Sequence, residues 1–444
     1  MSLLQYWRRR RTATSGVDTR PKVYVTKSGN DTTGTGTEAA PWLTIQKAIT
    51  STSTAGGVRI MVGPGTYQET DGTYAYWAPT KSFTSKVTIE STTGTATDVV
   101  IQGTTDATYE IRSLGAINNW EFKRVSFANR TGVGAFWGVA SASAPITNLT
   151  FTECQFDLTT ACNYVMMVTT FNTFSDVTWD GCIFNLAKDP GNGIYVSMSS
   201  ASTIARLKVL RCTFNAKGSC ISITHATDCE VAYNTFIAGN TTGGAILMRY
   251  GTATTTSTIG NNNTFHHNTM DASGAGVLIS HGAVFGAGQD NTIAEYNTLI
   301  KADLTWKLNT GGICRYNTVS NTVCCIELKG AADAEVYGNS CTANGASSRC
   351  LQFVVAEDGG ATKTTNAQVS GNSFNASVSG AKCIMMATAN TGAGNSNDAN
   401  HYYTVAGAKV GDVLAAIDLT TLAAVIAAWE GYTPAGNDAT SILN

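Results

Sequence analysis

The feature that most constrains this chain is a phrase that comes back at irregular intervals. It reads EVAYNTFIA at Glu230–Ala238, TFHHNTM at Thr264–Met270, IAEYNTL at Ile293–Leu299 and ICRYNTV at Ile313–Val319. Weaker copies follow as EVYGNSC (Glu335–Cys341) and QVSGNSF (Gln368–Phe374). Aligning each copy on the apolar residue two places after the asparagine gives a column of anchors: Phe127, Phe156, Phe184, Phe214, Phe236, Met270, Leu299, Val319, Cys341 and Phe374. Five places earlier runs a second apolar column: Phe122, Phe151, Trp179, Val209, Val231, Phe265, Ala294, Cys314, Val336 and Val369. Between them, two places before the anchor, stand Val125, Cys154, Cys182 and Cys212, and then Asn234, Asn268, Asn297, Asn317, Asn339 and Asn372 without a break.

Stacking these copies as parallel strands explains the asparagines. Equivalent residues then lie ~4.8 Å apart, and a side-chain amide carries both donors and an acceptor for the rungs above and below. A hydrogen bond nets only about 1 kcal/mol, but a buried amide without a partner costs more. One buried asparagine is therefore a liability, whereas a continuous column satisfies itself. Asparagine also tolerates the left-handed backbone of a sharp turn, so the turn is expected at these residues. The cysteine tier reads as a small apolar equivalent.

A second short alternating strand follows most anchors: AFWGVA from Ala135, YVMMVT from Tyr164, GIYVS from Gly193, CISIT from Cys220, AILMR from Ala245, GVLIS from Gly276, CIELK from Cys325, CLQFV from Cys350 and CIMMA from Cys383. Anchor spacing varies, 22 residues from Phe214 to Phe236 and 34 from Phe236 to Met270. Strands of fixed length joined by loops of free length argue against leucine-rich repeats and propeller blades, whose periods are tighter. They fit an all-β chain wound as a single-stranded parallel β-helix. The expected organisation is a basic arm over 1–22, the coil over 23–400 with a capping helix near 43–51, and a C-terminal helical cap over 401–444.

The opening of the coil carries a family resemblance. Val23–Glu69, VYVTKSGNDTTGTGTEAAPWLTIQKAIT…GGVRIMVGPGTYQE, resembles the start of right-handed parallel β-helix proteins of the pectin-lyase-like superfamily. Their pattern is a strand, a GNDxxxGT loop, TIQxAI on a capping helix and then PGTYxE. The far end, LTTLAAVIAAWEGYTPAGNDATSILN, resembles their closing helix. The resemblance implies the fold and, in many members, contact with polysaccharide. It leaves activity open, because this fold carries lyases, hydrolases, epimerases and non-catalytic spikes.

Composition narrows the partners. Charged residues make up 14% and the net charge is −2, which gives no general case for nucleic acid or an anionic membrane. No apolar run is long enough to cross a bilayer. The 12 cysteines include no C-x-x-C pair and lie inside apolar segments, as buried thiols made in a reducing compartment would. No metal signature and no cofactor motif is present. At the N-terminus, Trp7 and Arg8, Arg9, Arg10 and Arg11 follow a short apolar patch rather than preceding one, the reverse of a secretion signal. A free tail and a docking arm both fit this stretch; the docking arm is the working expectation.

Two surface patches stand out. One is the residue three before each anchor: Tyr233, His267, Tyr296 and Tyr316, with Tyr337 one place along on the next turn, flanked by His266, Glu295 and Arg315. Stacked rings there would stabilise the coil, meet a neighbouring subunit or face a glycan. The other is His225, Arg249, Tyr250, His281, Glu327 and Lys329, the first choice for chemistry if the protein is an enzyme. A glycosidase needs two carboxyls roughly 5 to 9.5 Å apart, and no two outward acids share a column on adjacent turns. Pairing through a loop, with Asp303, Glu357 or Asp358, stays open.

The expectation is a virion component, namely a tail spike, fibre or capsid-decoration protein of a bacteriophage. It would be a homotrimer docked through its arm to a capsid, portal or tail protein, with host-glycan recognition as an added role. The alternatives are a polysaccharide lyase or glycoside hydrolase of the same fold, and an extracellular or cell-surface adhesin.

Overall fold

The computed structural model describes residues 18–69, 81–102, 109–113, 116–128, 135–139, 145–158, 164–168, 173–187, 192–196, 203–238, 246–250, 260–274, 281–285, 289–321, 323–354, 362–386, 395–398, 400–405, 408–413, 418–419 and 442–443. From Val87 to Val413 each described turn lays a strand on each of three long sheets. The first sheet climbs from Lys22–Val25 to Ser396–Asp398, the second from Gly65–Gln68 to Ile442–Leu443, and the third from Tyr109–Ser113 to Lys409–Val413. All strand pairs are parallel except Lys409–Val413 with Asp418–Leu419. The coil therefore runs past residue 400. Trp7 and Arg8–Arg11 of the expected arm, and most of the expected C-terminal helix, lie outside the described residues.

The two apolar columns hold register through the coil. Phe122, Phe151, Trp179 and Val209 pair rung to rung in the first sheet, as do Phe127, Phe156, Phe184 and Phe214 in the second. Their rings stack along the interior, with centroids 4.8 Å apart at Phe156–Phe184, 4.4 Å at Phe184–Phe214 and 4.9 Å at Phe214–Phe236. In-register stacking is the arrangement that parallel pairing imposes on like residues. The third sheet departs from expectation at one turn. The described strand there is His281–Phe285, and the expected stretch from Gly276 lies outside the described residues. The next turn contributes Leu304–Lys307, a strand that the pattern reading passed over.

The asparagine column is buried and continuous. Asn234 Nδ2 donates to Asn268 Oδ1 at 3.0 Å and to Val209 O at 2.8 Å, and the same oxygen of Asn268 accepts the Asn234 backbone N–H at 3.0 Å. The unit repeats through Asn297, Asn317, Asn339 and Asn372. It continues one rung beyond the expected run, from Asn372 to Asn400 at 2.9 Å. Each amide thus spans three turns, using both N–H groups and its oxygen. Below Asn234, the Cys154 and Cys182 thiols donate to Phe122 O at 3.3 Å and Phe151 O at 3.4 Å, the same acceptor positions that the amides use. The cysteine tier is thus a weaker donor set, not merely a small apolar filler.

The left-handed residue of this corner is the one before each asparagine. Tyr233, His267, Tyr296 and Tyr316 have φ of 60°, 55°, 55° and 54°, and Gly338 and Gly371 take the same place on the next two turns. The expectation that asparagine itself supplies the turn is corrected. The second corner uses a comparable column, with Asn119, Asn148, Asp176, Asp228, Asn262, Asn291, Asp333 and Asn366 at φ of 52° to 60°, mostly short polar residues that tolerate this backbone, and with Arg206 and Gly311 in the same place on two turns.

The entry motifs find their use at the first turn. A seven-residue helix, Ile45–Ser51, buries Ile45, Ala48 and Ile49 and packs against the strands Lys22–Val25 and Arg59–Val62. Asp31 of the GND loop accepts the Leu43 and Thr44 N–H groups at 2.7 and 3.1 Å. Glu69 of PGTYQE accepts the Ile45 and Gln46 N–H groups at 3.0 and 2.9 Å. Burial pushes the Glu69 carboxyl up to about 7 against those two hydrogen bonds.

Two outcomes follow. Asn297→Ala should cost about 1 to 3 kcal/mol in denaturant unfolding, by leaving Asn268 Nδ2 and the carbonyl of Phe265 short of a partner; an unchanged midpoint contradicts the buried column. For Glu69, the folded chain keeps a proton up to about pH 7 that the unfolded chain gives up near the ordinary 4.5. Stability from this group is therefore present in acid and lost as pH rises through that window. Glu69→Gln should flatten the loss of stability between about pH 4.5 and 7, and an identical slope in the two proteins contradicts this assignment.

Candidate functional site

The ring column forms on the outer edge of the asparagine corner. Tyr233, His267, Tyr296 and Tyr316 stack with centroids 4.9, 5.0 and 5.1 Å apart and ring planes within 27°. Their spacing is that of the rungs, because each ring hangs from the same left-handed position on successive turns. Tyr337 sits one residue earlier and meets Tyr316 edge-on at 5.5 Å. The cause is Gly338, where a Cβ would come within 2.7 Å of the Tyr316 ring. Tyr296 and Tyr316 are 49% and 45% exposed. Since neighbours cover the faces of the inner rings, the column presents ring edges and phenol hydroxyls rather than open faces.

Ion pairs flank the column on the first sheet. Arg315 Nε donates to Glu295 Oε2 at 2.5 Å and its Nη1 to the Tyr337 hydroxyl at 2.8 Å, and both contacts hold the guanidinium pKa up. His266 Nε2 meets Glu230 Oε1 at 3.2 Å, while its Nδ1 lies 3.0 Å from Nδ1 of His267, so one of the two rings carries the proton there. The His266 contact, with Lys208 behind it, holds the Glu230 carboxyl at about 2. Burial, and then the neighbouring His266, lowers the His267 pKa. These charges are committed to one another, which makes the column a fixed ridge rather than a reactive cluster.

The second patch is dispersed. One row of register on the third sheet runs Ser222–Arg249–Val284–Thr305–Glu327. Arg249 and Glu327 are three rungs apart, ~14 Å along the coil. Tyr250 pairs in register with Ile223 and Phe285, and His281 with Ile246, so neither shares the register row of Arg249 and Glu327. His225 lies in the bend two residues past the third-sheet strand Ser219–Ile223, one rung below Arg249. It is 6% exposed at φ 54°, and burial lowers its pKa. Its two ring nitrogens have no hydrogen-bond partner among the described residues.

The structure does bring two carboxylates together, through a residue that the sequence reading missed. The Thr305 hydroxyl lies 3.3 Å from Asp303 Oδ2 and 3.5 Å from Glu327 Oε2. Those oxygens are thus no more than about 7 Å apart, so the pair is not too widely spaced for the two-carboxyl chemistry of glycosidases. Asp303, Thr305 and Lys307 are buried although they lie on the outer side of the sheet, and Lys307 pairs in register with Lys329. The signal was the strand Leu304–Lys307, whose polar residues alternate with Leu304 and Trp306. Among the described residues no three His, Cys, Asp or Glu side chains are grouped to hold a metal ion. No described helix is long and apolar enough to cross a membrane.

Comparison with known proteins agrees with this geometry. Residues 111–299 match the family model described as right handed beta helix region, and residues 27–75 match that of a protein family of unknown function, DUF1565. No curated protein matches the sequence. Among solved structures, the GH136 lacto-N-biosidase of Eubacterium ramulus shares 10% identity over 83% of this chain and 69% of that one, with a TM-score of 0.54. The A-module of the mannuronan C-5 epimerase AlgE6 of Azotobacter vinelandii shares 13% over 90% and 94%, with a TM-score of 0.50. The Dettilon tailspike protein shares 12% over 88% and 68%, with a TM-score of 0.45. At such identities the first two likenesses speak for the fold alone. Three parallel sheets in continuous register, a buried amide column and the family match make this chain a right-handed parallel β-helix.

Proposed function

We propose that the protein is a virion component, a tail spike, fibre or capsid-decoration protein of a bacteriophage, held through its N-terminal segment and turning its flank to a host glycan. The observation that carries this reading is the way the coil is braced. All the described cysteines are buried and free, and the bracing column is built of amides and thiols, with no disulfide among the described residues. Such a rod assembles in a reducing cytoplasm, where virions are built, and still stands up to the outside. Arg8–Arg11, placed directly before the coil, supply the cationic segment that would dock. The row of tyrosine hydroxyls and ring edges fits contact with a neighbouring copy in a trimer, since tyrosine is enriched at interfaces.

A shortened protein tests the docking. The cut belongs before Asp18, because Arg20 pairs with Asp18 and donates to Lys86 O at 2.9 Å, which ties this stretch to the coil. Deleting residues 1–17 should leave the melting curve of the coil intact and abolish its co-sedimentation with particles. Normal incorporation of the shortened chain contradicts the proposal.

Asp303 and Glu327 favour a second reading, a depolymerase of the hydrolase or lyase type. Under it, the wild-type protein shortens a host surface polysaccharide, and Asp303→Asn with Glu327→Gln lowers the rate by at least 100-fold. Equal shortening by the two proteins removes these carboxylates from the chemistry.

A further inference from the structure

The second sheet carries an outward polar row that neither patch includes. Asp157, Asn185, Asn215 and Ile237 follow one another on adjacent rungs. Asn185 Nδ2 donates to Asp157 Oδ1 at 2.6 Å, and Asn215 Nδ2 donates to Asn185 Oδ1 at 2.9 Å. The other Asp157 oxygen accepts from Gln155 Nε2 at 2.7 Å. The row therefore has a direction. It starts at a carboxylate whose oxygens are both engaged and stops at Asn215, because the next rung offers Ile237, which cannot donate. Asn215 Oδ1 is left facing outward beside an isoleucine that is 43% exposed.

This row borders a groove of about 440 Å³ running over four turns, with Leu158, Leu186 and Ala216 at its base and Lys217 at its rim. The volume is that of a small-ligand site, and the combination of an apolar base with a few directed amides is what such sites use. An exposed amide row gains little for stability, since water competes for each bond.

We infer that the groove binds an uncharged linear glycan lying along the coil axis. The amides repeat at the rung spacing of ~4.8 Å, on the scale of one sugar residue, so successive hydroxyls can each meet an amide edge. Asn215 Oδ1 accepts a sugar hydroxyl at the open end of the row, and the apolar face of the ring covers Ile237. One carboxylate and one ammonium leave the groove without net charge, which favours a neutral or N-acetylated chain over a uronate. This assignment rests on the glycan-facing part of the proposed function and moves the contact from the ring column to the second sheet.

The test uses the full chain and an immobilised panel of tetra- to hexasaccharides from dextran, chitin and alginate, with Kd read for the wild type, Asn215→Ala, Ile237→Asp and Tyr296→Ala. Asn215 and Ile237 are exposed, so these variants should keep the wild-type melting temperature. The inference expects binding of a neutral or N-acetylated member, weakened about tenfold or more by Asn215→Ala and by Ile237→Asp and unchanged by Tyr296→Ala. Binding that is lost only with Tyr296→Ala overturns the groove while keeping glycan recognition. Binding of alginate alone overturns the uncharged class. A wild-type protein that binds no member overturns both the groove and the glycan reading that it rests on.

Discussion

The structure depends on a row of side-chain amides that no single turn could afford to bury alone. From Asn268 to Asn372 each Nδ2 donates to a backbone carbonyl on the turn below and to the amide oxygen on the turn above, and each Oδ1 accepts the backbone and side-chain N–H groups of the asparagine below, all at 2.9 to 3.0 Å. That constraint fixes the rung spacing and the parallel register at one corner of every turn. It also fixes the position of the residue just before, whose left-handed backbone throws its side chain outward. The external ring column is a consequence of the internal amide column. Tyr233, His267, Tyr296 and Tyr316 stack because the asparagines behind them do.

The same logic separates bracing from presentation. Buried amides and thiols do the work of holding turns together, and the ring column and its ion pairs are largely satisfied within themselves. The outer faces of the second and third sheets are where side chains are arranged without an obvious structural debt. Asn215 ends a row of amides with an oxygen facing out. Asp303 and Glu327 converge on Thr305 under cover. A rod with two such places on different faces suits a protein that must be held at one end and meet a polymer along its side.

Much of this was legible in the sequence because parallel stacking converts a linear pattern into columns. Six of the seven asparagines could be read directly; Asn400 escaped because five places before its anchor Tyr402 stands Asn397 rather than an apolar residue. The left-handed position could have been read too. Gly181, Gly338 and Gly371 recur in the place just before the cysteine or asparagine, and a recurring glycine marks a positive φ. The third sheet was harder, since the 34-residue spacing from Phe236 to Met270 offered more than one alternating stretch. Contacts across different turns, such as Asp303 with Glu327 through Thr305, depend on which residue of one rung lies opposite which of the next. Register supplies that, and periodicity within a single strand does not.

Hydrogen exchange of the asparagine side-chain amides tests the central claim most directly. If the column is continuous and buried, the Nδ2 protons of Asn268, Asn297, Asn317, Asn339 and Asn372 exchange only on global unfolding, as slowly as the backbone amides of the neighbouring strands. Fast, independent exchange of these side chains in the folded protein would contradict the account.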